Sequence, residues 1–430
     1  MRIVVIGNGV AGNAACSAIR SRNKEVKLTL ISEEPHPLYS ACVLSNYIAE
    51  EINRPEVFLK SLRDYEKEGI TLLLGRKVER IDPSVKKVFF PGQELAYEKL
   101  ILATGSHPII PPVEGIQKKG VRVFKSLRDA DDLYTAEGKK AIIVGSGPIG
   151  VELAVALRKR GWAVCLIEAL DWILPKLFDE KGSSIVRGIL EGQGIKVLTG
   201  ERILAIEGKT SVEQIVTRGA GRVKGDMVVF ATGMRPSVEL AREAGIGIGE
   251  LGGIRTNDEM ETSVKDIYAC GDCVEGRDPF TLKPTLSLLW PHAERQGTVA
   301  GLKSIGERRS NRWLSDVINL DIFGTFAGAM GQPAKALGRR KIEVLEKEEK
   351  GRYCCVVISE GRMAGAQFIG DYEGMGVLFA SMGRDYEQIS SQVKNEEGRI
   401  PFFWCNPARY FFDGGVAAGG RGVIRSNARP

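Results

Sequence analysis

Apolar and polar positions fall into repeating blocks along this chain. Ile3 to Ile6 form an uninterrupted apolar run that reads as a buried strand. A glycine-rich turn leads from it into an alanine-rich stretch predicted to be helical, and a second apolar strand, VKLTLIS, follows. The same succession recurs from Ala141 to Val144, through another glycine turn and helix, to the strand AVCLIEA. Two further strands, in LAYEKLILATGSHPIIPPVEG and GDMVVFATGMRPS, both end in Ala-Thr-Gly, a sharp turn that marks chain crossing between domains. Strands alternating with helices predict an α/β fold built on parallel sheets. Later, EVLEKEEKG reads as a solvated hairpin, and Cys354 and Cys355 alternate along a strand, so they face opposite sides and are poor disulfide partners.

Length and charge narrow the picture. At 430 residues the chain exceeds the roughly 250–300 residues at which a single core stops growing, so two or three domains are expected. The net charge of +6 comes from 60 basic and 54 acidic residues spread along the chain, which argues against a nucleic-acid binder and permits an acidic protein partner. No apolar run approaches the roughly 20 residues that span a bilayer, and the opening residues run into a strand rather than a signal peptide. A cytoplasmic location is expected. The eight cysteines are scattered through segments that read as core, so most are expected to be reduced. No metal site is expected.

The two glycine turns carry the first chemistry. Gly7, Gly9 and Gly12 have the GxGxxG spacing between strand and helix: a tight turn, room for a pyrophosphate beside the backbone, and close packing of helix on strand. The next strand ends at Glu33, about twenty residues on, where a carboxylate accepts hydrogen bonds from a ribose. Glu34 is the alternative. Gly145, Gly147 and Gly150 repeat the spacing, and the strand after them ends in Glu168, which favours a free 2′-hydroxyl and repels a 2′-phosphate. The second nucleotide is therefore expected to be NADH. Further on, a strand runs into Gly271 and Asp272, where an aspartate can bind the ribityl and phosphate side of a flavin.

With both fingerprints, both Ala-Thr-Gly turns and Tyr268-Ala-Cys-Gly-Asp272 in place, Met1 to about Asp385 resembles the FAD- and NAD(P)H-binding pyridine nucleotide-disulfide oxidoreductase family. The resemblance implies two Rossmann-like domains of three layers and a small α+β C-terminal domain. FAD would occupy the first fold, held by Gly7, Gly9, Gly12, Glu33, Thr104, Gly105, Gly271 and Asp272. NADH would occupy the second, at Gly145, Gly147, Gly150, Glu168 and Gly233. It implies a discontinuous FAD domain (1–112 and 243–312), an NAD domain (113–242), a C-terminal interface domain (313–413) and a flexible tail (414–430). Glu152 would lie near the nicotinamide, although a structural helix carboxylate fits equally well. His292, at a helix start that would face the flavin ring, is either a flavin contact or a packing residue; His36 and His107 read as structural. No histidine follows His292, so the family's C-terminal histidine-glutamate pair is missing.

Members that reduce dithiols carry two cysteines four residues apart after the first ribose-binding strand; this chain has Cys42 alone. Cys270 and Cys273 have the spacing of a redox or metal pair, but the resemblance gives Asp272 to FAD, so that spacing is read as coincidence. Cys42 matches the single active cysteine of the coenzyme A disulfide reductase and NADH oxidase branch. Ser40 can cap the helix there and put Cys42 in its first turn, where the dipole favours a thiolate. The same residues, YSACVLSNYIA, also fit rubredoxin reductases and the flavin part of nitrite reductases, which need no cysteine. GRYCCVVISEGRMAGAQFIGD and the helix EGMGVLFASMGRD resemble the small C-terminal domain of that second branch.

The leading expectation is an FAD-dependent NADH:acceptor oxidoreductase that exchanges electrons with an iron–sulfur carrier of ferredoxin or rubredoxin type, or with a larger redox complex, as a homodimer or a complex subunit. The alternative is a Cys42-dependent coenzyme A disulfide or persulfide reductase, or an NADH oxidase. A non-enzymatic NADH sensor is a third class.

Overall fold

Isoleucine and valine at positions 3 to 6 are buried in the first strand, Arg2–Ile6, because sheet neighbours flank it on both edges and helices cover its faces. In the computed structural model, which describes residues 1–278, 281–311, 315–349, 351–370 and 375–384, this strand lies at the centre of a five-stranded parallel sheet. The order is Ile267–Ala269, Lys99–Leu102, Arg2–Ile6, Lys27–Ile31, Ile70–Leu73. Chain from far beyond the second nucleotide fold thus supplies one edge. A second parallel sheet has the order Lys196–Leu198, Ala163–Ile167, Lys140–Val144, Met227–Phe230, Val121–Val123.

The first fold is closed by a return helix, Trp290–Ser304, packed on the first helix, Val10–Arg22. The approach is close because Gly297 and Gly301 lack side chains: a Cβ there would stand 2.1 Å from the carbonyl oxygen of Ala11 and 2.4 Å from that of Ala15. The two crossings between the folds pair with each other. Met234–Pro236 runs antiparallel to Ser106–Pro108. The Thr104 hydroxyl donates to the Ser237 carbonyl at 2.7 Å, and that of Thr232 to the Ile109 carbonyl at 2.5 Å.

The C-terminal domain is a five-stranded antiparallel sheet with the order Val317–Ile322, Thr325–Gly331, Arg362–Ile369, Arg352–Ser359, Ile342–Glu349, followed by a helix, Met375–Ser381. One face, with Tyr353, Cys355 and Val357, packs against the second nucleotide fold. The other, with Val356, Ile358 and Phe368, forms a separate small core with Leu378. Cys354 and Cys355 accordingly lie on opposite faces. The hairpin around 350 has a largely exposed first strand. The tail from 414 onward and Cys405 lie outside the described residues.

The segment that carries Cys42 belongs in sequence to the first fold yet packs on the second. Leu44, Tyr47, Ile48 and Val57 share a core with Val151, Val155 and Leu127. Burying Leu44 and Ile48, which are 1% and 0% exposed, contributes roughly 1.5–3 kcal/mol each. Ion pairs reinforce the contact: Arg54 to Asp131 at 2.8 Å, Lys159 to Glu51 at 2.5 Å and Arg160 to Glu50 at 3.2 Å.

Candidate active site

Both glycine turns form an open cradle at a helix N-terminus. Gly7 has φ +113°, and a Cβ there would meet the Ala103 carbonyl oxygen at 2.0 Å; Gly145 repeats this with φ +103° and the Ala231 oxygen at 2.4 Å. Each turn is therefore pinned to the start of its own Ala-Thr-Gly segment. Gly9 and Gly147, by contrast, are helix N-caps with no side-chain capping bond, and nothing lies within 4 Å of a Cβ on either. Uncapped N–H groups facing open space suit a pyrophosphate.

The carboxylates expected beside these cradles are placed differently. Glu33 is exposed just past the second strand, 3.4 Å from Lys77. Glu34 is occupied: it accepts the Tyr39 hydroxyl at 2.9 Å. Glu168 is nearly buried and fixed by three donors, the Ser146 N–H at 3.0 Å, the Ser146 hydroxyl at 2.6 Å and the Leu170 N–H at 3.0 Å. A carboxylate has about four acceptor positions, so one remains for a ribose.

Asp272 stands where three segments meet. It accepts the Ser106 hydroxyl at 2.8 Å and the Lys125 ammonium at 3.1 Å, while Lys125 also donates to Ser106 at 3.2 Å. Gly271 has a left-handed φ of +80°, and its N–H donates to the buried Gln296 side chain of the return helix at 2.8 Å. Thr104, Gly105 and Gly233 lie in the paired crossings, with the Ser237 N–H donating to the Gly105 carbonyl at 2.9 Å. Lys125, Ser106 and Gln296 were not singled out from sequence. Their partners are far away in the chain, and no spacing announces them; only the Ser126–Asp129 capping box beside Lys125 has a readable local signal.

Cys42 is exposed, and the charges of Glu152, Lys125 and Asp272 act on it. Ala41–Val43 is a 3₁₀ turn that runs directly into the helix Leu44–Ile48, so Cys42 lies in the first turn of a helical segment, although Ser40 makes no side-chain capping bond to it. The thiol pKa is shifted up, first by the enclosing groups and then by the Glu152 carboxylate; the Ser40 hydrogen bond and the Lys125 charge oppose this without reversing it. Glu152 has no hydrogen bond or ion pair among the described residues, and burial alone pushes its pKa from 4.5 to about 7.

His292 is buried, with Nε2 3.2 Å from Asp316, which also accepts the Ser287 hydroxyl at 2.7 Å. His36 stacks edge-on against Phe58, and His107 lies in the crossing strand. Cys270 and Cys273 are fully buried with thiols pushed up by desolvation, and Cys273 donates to the Cys270 carbonyl at 3.3 Å. These are core thiols.

Two nucleotide cradles, paired crossings and an aspartate loop behind a glycine-packed helix coincide with a family match: residues 1–297 fit the pyridine nucleotide-disulphide oxidoreductase model. The chain belongs to that family. It is an FAD-dependent NAD(H) oxidoreductase. It is similar to an NADH oxidase of Methanocaldococcus jannaschii, 34% identical over 86% of this chain and 88% of that protein. It is also similar to the assimilatory nitrate reductase electron transfer subunit of Bacillus subtilis, 29% identical over 95% of this chain. The chain spans about half of that relative, 52% of its length. Among solved structures, the NAD-dependent persulfide reductase from A. fulgidus superposes with a TM-score of 0.87 at 27% identity, over 91% of this chain and 79% of that one. Among the described residues, no helix of this family member is long and apolar enough to cross a membrane.

Proposed function

We propose that this oxidoreductase passes electrons between NADH and an iron–sulfur carrier or redox complex, with FAD alone as the redox centre. The observation that carries the reading is the match to the electron transfer subunit, which covers 95% of this chain, C-terminal sheet included, and 52% of that protein. The setting of Cys42, whose thiol is raised by burial and by the Glu152 carboxylate, agrees with it.

In this reading Gly7, Gly9 and Gly12 cradle the FAD pyrophosphate, Glu33 takes the adenosine ribose, and Asp272, fixed by Ser106 and Lys125, receives the ribityl side. Thr104, Gly105 and Gly271 shape the wall beside it. Gly145, Gly147 and Gly150 bind the NADH pyrophosphate, with Gly233 at the second crossing. Glu168, held by Ser146 and Leu170, offers its last acceptor position to the 2′-hydroxyl and disfavours a 2′-phosphate. Bound FAD supplies the conversion of a hydride pair into single electrons. Glu152 stays neutral below about pH 7 and can hold or release a proton beside the reacting groups. The chain would act as a homodimer or as a subunit of a larger complex.

A second reading rests on the exposure of Cys42 in the cluster and on the NADH oxidase and persulfide reductase relatives: a single-cysteine disulfide or persulfide reductase, or an oxidase. The deciding experiment compares wild type with Cys42→Ser, using NADH and either a rubredoxin-type iron–sulfur protein or coenzyme A disulfide. The electron-transfer reading expects iron–sulfur reduction within about twofold of wild type in the variant. Loss of that activity, together with fast disulfide turnover by wild type, would replace it with the second reading.

A further inference from the structure

Where the C-terminal sheet docks on the second nucleotide fold, a polar cluster is enclosed far from both cradles in sequence. Asp179 caps the helix Glu180–Gly192 by accepting the Gly182 N–H at 2.9 Å. Its other oxygen lies 3.5 Å from the Cys355 sulfur. Glu346, on the edge strand, completes a set in which one atom from each residue lies within 4.8 Å of the others. The Tyr353 hydroxyl touches the same group at 3.3 Å from Glu346 and 3.4 Å from Asp179.

We propose that Asp179, Glu346 and Cys355 bind one thiophilic divalent cation of the zinc class, which fastens the C-terminal sheet to the second nucleotide fold. The Asp179–Cys355 separation is what two ligands on a tetrahedral zinc show, given Zn–S of about 2.3 Å and Zn–O of about 2.1 Å. The Tyr353 contacts are longer than the roughly 2.5–3.0 Å of a good O–H···O bond, so these groups do not tightly satisfy one another.

A second, independent observation comes from Gln367, which is 1% exposed. It sits directly opposite Cys355 in the sheet, and its Oε1 accepts the Asp179 backbone N–H at 3.2 Å. Its Nε2 has no hydrogen-bond partner among the described residues. A water or hydroxide in the fourth position of the cation would accept that bond.

The site has an entry path, because burial falls from Cys355 through Asp179 to the exposed Glu346. Lys181 approaches Glu346 at 3.6 Å, but its contact with Glu348, at 3.4 Å, keeps it paired when the cation takes Glu346. Cys355 enters as a neutral thiol, raised by burial and by Asp179. On binding, its S–H bond breaks, an S–Zn bond forms and the proton leaves to solvent. No electron moves. The groups facing the thiol are Asp179, Glu346, Tyr353 and, at the rim, Lys181 and Glu348, so one released proton makes apparent affinity rise about tenfold per pH unit.

The test uses the full FAD-loaded chain, first by elemental analysis as purified, then stripped with a chelator and titrated with zinc against a chromogenic competitor at pH 6, 7 and 8. The expected result is one zinc per chain, affinity rising about tenfold per pH unit, retained in Cys42→Ser and lowered at least tenfold in Cys355→Ser. Glu346→Gln, exposed and unable to unfold the sheet, should weaken binding by a similar factor. Substoichiometric zinc in wild type, or binding that survives both Cys355→Ser and Glu346→Gln, would overturn the proposal.

Discussion

Replacing Glu152 by glutamine removes a carboxyl that the folded chain is poorly able to ionise. Its pKa is 4.5 when exposed and about 7 in the fold. At 1.36 kcal/mol for each tenfold change in proton affinity, ionised Glu152 costs the folded state about 3 kcal/mol relative to the unfolded state. The sign follows from the direction of the shift. Below pH 4.5 both states hold the proton and there is no penalty; between 4.5 and about 7 the unfolded state loses it first, and stability falls as pH rises; above that the loss is constant. Glutamine has the same shape and no charge, so Glu152→Gln should gain up to about 3 kcal/mol over wild type between pH 5 and pH 8. Urea unfolding of both proteins across that range, with FAD occupancy matched, measures the difference. A difference that does not change with pH, or that favours wild type as pH rises, would refute the reasoning and mean that Glu152 has a partner in solution.

Other consequences follow from the cradles. Glu168→Ala should raise the NADPH/NADH ratio of kcat/KM by tenfold or more, since a repelling carboxylate and a 2′-hydroxyl acceptor are lost together; an unchanged ratio would take Glu168 out of nucleotide selection. Gly147→Val places a side chain in open space at an extended backbone position with φ −66°, so the variant should fold and stay yellow yet lose NADH binding, as isothermal titration would show. Asp272→Ala and Lys125→Met should each lower FAD retained through gel filtration, and Lys125→Arg should restore it; full occupancy in both Asp272→Ala and Lys125→Met would separate this cluster from the flavin.

The local features of the site were legible because close backbone approach leaves a mark in sequence. Gly7 and Gly145 must be glycine where a Cβ would strike a carbonyl oxygen, so both turns and their strands could be read directly. Alternation placed Cys354 and Cys355 on opposite faces for the same reason of simple periodicity. What depends on distant partners was hidden. The Lys125–Asp272 pair joins residues 147 positions apart, and nothing near either one foretells it. Cys42 was legible in part: Ser40 beside an apolar run suggested a capped helix, and the segment is helical from Ala41 to Ile48, but it lacks that cap and packs on the second fold, where burial and then the Glu152 carboxylate raise the thiol.

The central claim, that FAD alone carries the electrons, is tested most directly by counting them. Anaerobic titration of the purified, FAD-loaded protein with NADH, followed by the flavin absorbance, should reach its endpoint at two electrons per FAD. No small thiol should be released. An endpoint of four electrons per FAD, with a thiol such as coenzyme A appearing in solution as the flavin is reduced, would show Cys42 to be a second redox centre and contradict the account.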